Sequence, residues 1–136
     1  MRRRWLAAAV LLLVAGTAQA QSPDAKAAAD PVLRQLDAFR RGDYDTAYGF
    51  ASAEIQGMFD RGAFERMVRG GYPEIADSVR AHVATARTAD DGHIYLLLKI
   101  RGANGQQIEA LYDMVREAGV WKINGVVAKP DPGEDA

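Results

Sequence analysis

The chain has 136 residues, about half of them hydrophobic, and a formal net charge of −1 at pH 7. That length suits one globular domain, and the near-neutral balance argues against nucleic acid as a partner. There is no cysteine, so no disulfide framework is available and the core must hold the fold alone.

Residues 1–20 read as a secretory signal peptide. Arg2, Arg3 and Arg4 precede an apolar run from Trp5 to Ala15 that is too short to span a bilayer, and Ala18-Gln19-Ala20 fits a small-residue cleavage site. A retained anchor is the alternative, and the arginine pair also fits twin-arginine export. Cleavage after Ala20 predicts a periplasmic or secreted protein with no stable membrane anchor. It removes three arginines and no acid, which moves the formal charge to −4. Residues 21–29 ("QSPDAKAAA") lack an apolar period and read as a flexible leader. Residues 30–128 then form the single domain, and 129–136, with two prolines and three acids, read as a disordered tail.

The first half of the domain punctuates itself as helices. Asp30 is an N-cap candidate with Pro31 at the first helical position, and Gly42 suits the residue past the end. Val32, Leu33, Leu36 and Phe39 form an apolar stripe between them. Asp43, Ser52 and Asp60 are caps for three further helices, each cap contributing about 1 kcal/mol. The last of these carries Phe64, Met67 and Val68 and closes at Gly70-Gly71. Tyr72-Pro73 then predicts an extended exit.

The second half has period two. Strands are expected over 79–88, 93–101, 107–115 and 120–127, separated by turn signals at Asp90-Asp91-Gly92, Ala103-Asn104-Gly105 and Ala118-Gly119. A three-residue loop over Ala103–Gly105, with Gly105 left-handed, aligns Ile100 with Ile108, Leu98 with Ala110, Leu96 with Tyr112 and Ile94 with Met114. It also sets Lys99 across from Glu109 on the other face. A tight turn at Ala118-Gly119 pairs Met114 with Ile123, Tyr112 with Gly125 and Arg116 with Trp121. For the first strand, hydrophobic fit favours Val79, Ala81 and Val83 inside with His82 outside, although a one-residue slip would reverse this. The fold class is therefore α+β, with N-terminal helices packed on a curled antiparallel β-sheet.

Helices followed by a long-stranded meander ending in "GVWKINGV" resemble the nuclear-transport-factor-2-like superfamily, a cone-shaped, cystatin-like roll. More narrowly, "AFRRGDYDTAYGFASAEIQGMF", "FERMVRGGYPEI" and "YDMVREAGVWKINGV" resemble an uncharacterised family of short exported bacterial proteins, a domain of unknown function. The resemblance implies the fold; the superfamily hosts isomerases, dehydratases, binding proteins and assembly domains alike.

No catalytic residue is assigned. Glu109, Asp113 and His93 fall on the outer face, where a carboxylate lacks the dry surroundings that proton abstraction needs. Two histidines on separate strands make no metal site, and no cofactor is expected. The inward aromatics favour a filled core over an open pocket. If a pocket exists, Tyr48, Tyr72, Tyr112 and Trp121 are its candidate ligand-binding residues, with Tyr72 at the mouth, and its ligand is an apolar small molecule. On the outer face, Tyr95, Leu97, Leu111 and Val126 form an apolar strip rimmed by charge. Such a strip suits a homodimer, and the resemblance implies the same face. The expected function is an exported, non-catalytic binding or interaction module; the alternatives are a structural dimer without ligand and a small isomerase- or dehydratase-type enzyme.

Overall fold

The computed structural model describes residues 22–135, with side chains through Gly133. The expected signal peptide and its cleavage site lie outside the described residues. Helix α1 spans Pro23–Arg40, and its N-cap is Ser22, whose hydroxyl accepts from Ala25 N at 3.1 Å. The helix therefore starts eight residues before the Asp30 cap expected from sequence, and "QSPDAKAAA" is mostly helical rather than a flexible leader. Pro31 sits inside the helix, where a proline removes one backbone bond. Burial offsets that cost: Ala25, Ala28, Ala29, Val32, Leu36 and Phe39 line one buried stripe. The alanines are the small residues that let this turn lie close against its neighbours.

Gly42, at φ +72°, ends α1 as expected. Asp43, Ser52 and Asp60 cap α2 (Tyr44–Gly49), α3 (Ala53–Met58) and α4 (Arg61–Gly71), each accepting a backbone N–H three residues on. The exit after α4 departs from expectation. Pro73 opens a short helix, α5 (Pro73–Ala76), which buries Ile75. It presses on the sheet at Gly102, where an added Cβ would lie 2.9 Å from Glu74 Cα. Ala103 N donates to Asp77 O at 2.8 Å and Asn104 Nδ2 to Glu74 Oε2 at 2.9 Å, pinning α5 to the hairpin loop.

Strands β1 (Ser78–Thr88), β2 (Ile94–Gly102), β3 (Gln107–Glu117) and β4 (Val120–Pro130) form one antiparallel sheet in sequence order. The β2–β3 register is the expected one at all four inward pairs. Gly105 has φ +85°, and Lys99 Nζ lies 3.2 Å from Glu109 Oε2 on the outer face. Ala118 and Gly119, both at positive φ, close the β3–β4 turn, and Arg116 pairs with Trp121.

The β3–β4 register and the inward placement of Val79 differ from expectation, and in both the cause is a bulge. In β4, Met114 still pairs with Ile123, but Asn124 is an extra residue, so Asp113 faces Gly125 and Tyr112 faces Val126 rather than Gly125. Every side chain beyond the bulge changes face. Val126 turns inward, and Val127, 69% exposed, takes its place outside beside Leu111. In β1, a shift between Ser78 and Arg80 buries Ser78 and leaves Val79 60% exposed, whereas Ala81 and Val83 are half-buried and His82 lies outside.

Residues 131–133 are anchored, not frayed. Asp131 N donates to Gln107 O at 3.0 Å, and its buried carboxylate takes Gly133 N at 2.9 Å and Lys99 Nζ at 3.1 Å. These bonds, the Gly133 amide first, hold the Asp131 carboxyl below the usual range.

Candidate functional site: an apolar cavity beneath the helices

Phe39, Tyr44 and Phe64 fill the space between helices, with ring centroids 5.0 Å (Phe39–Tyr44) and 6.1 Å (Phe39–Phe64) apart. Here the aromatics are core, as expected. Farther along the sheet Phe59, Tyr72 and the buried Tyr112, together with Phe39 and Phe64, border a cavity of about 240 Å³ between α4 and the inner face of β3 and β4. Ile55, Met67 and Val126, all partly exposed, frame it, and Gln35, Val68 and Ile123 lie deeper. The expectation of a filled interior is thus corrected. The inverted register past Asn124 sets Val126, in place of Gly125, opposite Tyr112 on the cavity wall.

Three local devices hold the wall in place. Residues 50–52 pair with β4: Ile123 N donates to Phe50 O at 2.9 Å and Ser52 N to Ile123 O at 2.8 Å. The extra residue of the bulge is clamped from both sides, its Oδ1 accepting from Ser52 Oγ at 2.7 Å and its Nδ2 donating to Asp113 Oδ2 at 3.3 Å. Tyr48 supports the wall from behind. Its hydroxyl donates to Phe59 O at 2.5 Å and its ring meets Phe64 edge-on at 5.3 Å.

The polar groups of the cavity are few. Gln35 Nε2 donates to Ala47 O at 3.1 Å. Tyr112 is 1% exposed, and its hydroxyl has no hydrogen-bond partner among the described residues. Burial pushes the Tyr112 phenol well above its ordinary pKa, and the neighbouring Tyr72 adds to the push, so the hydroxyl keeps its proton and remains a donor. An orphaned donor in an apolar wall costs about 1–3 kcal/mol, which an acceptor on a bound molecule would offset.

Of the four aromatic residues singled out from the sequence, the structure brings Tyr72 and Tyr112 together on the cavity and places Tyr48 behind the wall. Trp121 lies apart, beneath the Arg116 guanidinium at 4.7 Å, in a separate depression shared with Asp24 and His93. Sequence reasoning misses Gln35 and the bulge at Asn124. Gln35 does carry a signal, as a polar residue in an apolar helix stripe.

On the outer face, Tyr95, Leu97 and Leu111 lie where expected, and Val126 does not belong to the strip. His93 Nδ1 is 2.6 Å from Asp113 Oδ1, a hydrogen bond that raises the histidine pKa above its ordinary value. Both residues are on the opposite side of the sheet from the cavity. Among the described residues, no three histidine, aspartate or glutamate side chains gather to hold a metal ion, and no helix is long and apolar enough to cross a membrane.

Helices packed on a four-stranded curled antiparallel sheet define an α+β fold. The chain belongs to the family described as "Domain of unknown function (DUF4864)", which matches residues 21–136. Among solved structures it is similar in fold to Aln2 from a Streptomyces species, solved at 1.8 Å, at 19% identity and a TM-score of 0.54. That similarity covers 84% of this chain and 96% of the Aln2 chain. The comparison with curated proteins gave no match.

Proposed function

We propose that the protein is an exported, non-catalytic binding module that takes one uncharged, largely apolar small molecule into the cavity, with Tyr112 donating to its single acceptor. Tyr112 borders this apolar cavity and its hydroxyl is buried without a partner, and that combination carries the reading. Scaled from the 150 Å³ cavity that holds benzene, a cavity of about 240 Å³ suits a ligand of roughly ten non-hydrogen atoms. A charged ligand would lose its hydration without a partner, at a cost of several kcal/mol. The placement of Glu109, Asp113, His82 and His93 on the outer face favours binding over proton-transfer chemistry, and the mechanism calls for no cofactor.

The same proposal includes membership of the nuclear-transport-factor-2-like superfamily. It also includes export with cleavage after Ala20, which the signal-peptide pattern of residues 1–20 supports. A homodimer through the outer sheet face is favoured by Leu111 and Val127, exposed side by side on paired strands.

Acetophenone and naphthalene test the binding reading. Acetophenone should bind the unmodified protein and bind Tyr112→Phe about three- to tenfold more weakly, the ordinary worth of one hydrogen bond. Naphthalene, which has no acceptor, should bind both proteins alike. Failure of both compounds to bind, by titration calorimetry, would overturn the reading.

A further inference from the structure

A second depression, of about 190 Å³, lies at the end of the sheet beyond the cavity. Among the described residues, Tyr72 alone lines both. The inner face of β4 runs continuously beneath it, with Val126 in the cavity wall and Ala128 and Pro130 in the outer depression. At the usual strand rise, Val126 to Pro130 spans about 13 Å. The two spaces thus adjoin along β4, with the half-buried Tyr72 at the border of both.

That ring has open space on its glycine side. Gly70 and Gly71, which precede it, have no atom within 4 Å of an added Cβ, whereas α5 beyond it is fastened through Gly102 and Asn104. Tyr72 N donates to Val68 O at 2.9 Å and its carbonyl oxygen accepts from Ile75 N and Ala76 N, so the ring moves by side-chain rotation and leaves the hairpin undisturbed. The polar groups of the outer depression are largely engaged: Glu74 accepts from Asn104 at 2.9 Å, and Lys129 lies 3.7 Å from Glu109 across the sheet. Gln106 and Gln107 border it too, and Gln107 Oε1 accepts from Arg101 Nε at 3.1 Å. Such a lining suits an uncharged, mixed apolar and hydrogen-bonding group rather than an ion.

We propose that the ligand is an elongated, uncharged molecule carrying its acceptor at mid-length. Resting on the binding reading above, this places one apolar arm in the cavity, a carbonyl or ether oxygen at Tyr112, and a second arm along β4 past a displaced Tyr72. Tyr72 and Tyr112 both line the cavity, which sets the acceptor toward the border shared with the outer depression. A molecule confined to the cavity stops at roughly ten non-hydrogen atoms, whereas one that follows β4 past Tyr72 continues beyond that size.

Alkyl phenyl ketones of increasing chain length separate the two ideas. Each methylene that gains apolar contact is worth up to about fourfold in affinity. Hexanophenone, longer than the cavity alone can hold, should bind at least tenfold more tightly than acetophenone. Ala128→Phe, which fills the outer depression, should bring hexanophenone down to the level of acetophenone and leave acetophenone unchanged. Acetophenone binding with no gain for hexanophenone, or a gain that survives Ala128→Phe, would overturn the elongated ligand while leaving the cavity reading intact. If acetophenone itself does not bind, the cavity reading fails first. The chain-length series on the unmodified protein gives an answer even if Ala128→Phe does not fold.

Discussion

Removing the Tyr112 hydroxyl should make the unliganded protein more stable. In most proteins a buried tyrosine hydroxyl is hydrogen-bonded, and its loss destabilises. Here the oxygen is buried without a partner among the described residues, so folding strips it of water with no return. Tyr112→Phe relieves a desolvation cost of about 1–3 kcal/mol while keeping the ring and its packing. Allowing for local relaxation, a net gain of about 1 kcal/mol is expected, a rise in melting temperature of roughly 3–6 °C for a domain of this size. Tyr44→Phe is the internal control. Its hydroxyl is equally orphaned, but its ring lies in the core beneath Arg69 at 4.6 Å and away from the cavity. Both variants should gain stability, and only Tyr112→Phe should lose affinity for acetophenone. Thermal and urea unfolding of the two variants beside the unmodified protein provide the measurement. A loss of more than about 1 kcal/mol in Tyr112→Phe would show that the hydroxyl is paired after all, and the argument for a ligand acceptor would go with it.

Gly102→Ala would set a Cβ 2.9 Å from Glu74 Cα and should destabilise by about 1–3 kcal/mol in chemical denaturation, against almost no effect at the open Gly70. His93 gains a carboxylate partner on folding, which raises its folded-state pKa above its unfolded value. The stability it contributes is therefore fully present below the unfolded pKa, near 6.5, and is lost as pH rises through the higher folded value; relative to His93→Gln, urea midpoints should show an advantage at acidic pH that fades on the alkaline side. Leu111→Lys, at a position 42% exposed on the outer face, should convert a dimer to a monomer with helical circular dichroism unchanged; an unmodified protein that is monomeric at tens of micromolar, about the range where weak interfaces remain occupied, would remove the homodimer from the proposal.

The sequence by itself determined the caps, the turns and one hairpin. Asp43, Ser52 and Asp60 are local signals, because a side chain three residues from the amide it caps needs no tertiary partner. The β2–β3 register was legible because alternation, the Gly105 turn and the Lys99–Glu109 pair all demand the same alignment. Where those cues thinned, tertiary contacts decided. Ala25, Ala28 and Ala29 carry little hydrophobic signal, and only the neighbours packed against them make that stretch a buried helix that tolerates Pro31.

The candidate site was less legible still. Tyr72 and Tyr112 could be named as inward or mouth-lining aromatics, but no local pattern announces one extra residue in a strand. Asn124 becomes a bulge because Ser52, 72 residues away in sequence, and Asp113 on the next strand hold its side chain. That one residue moves Val126 from the expected interface to the cavity and puts Val127 on the surface in its place. A strand's side chains alternate with period two, so the face of everything beyond a bulge depends on a long-range contact that sequence spacing cannot contain.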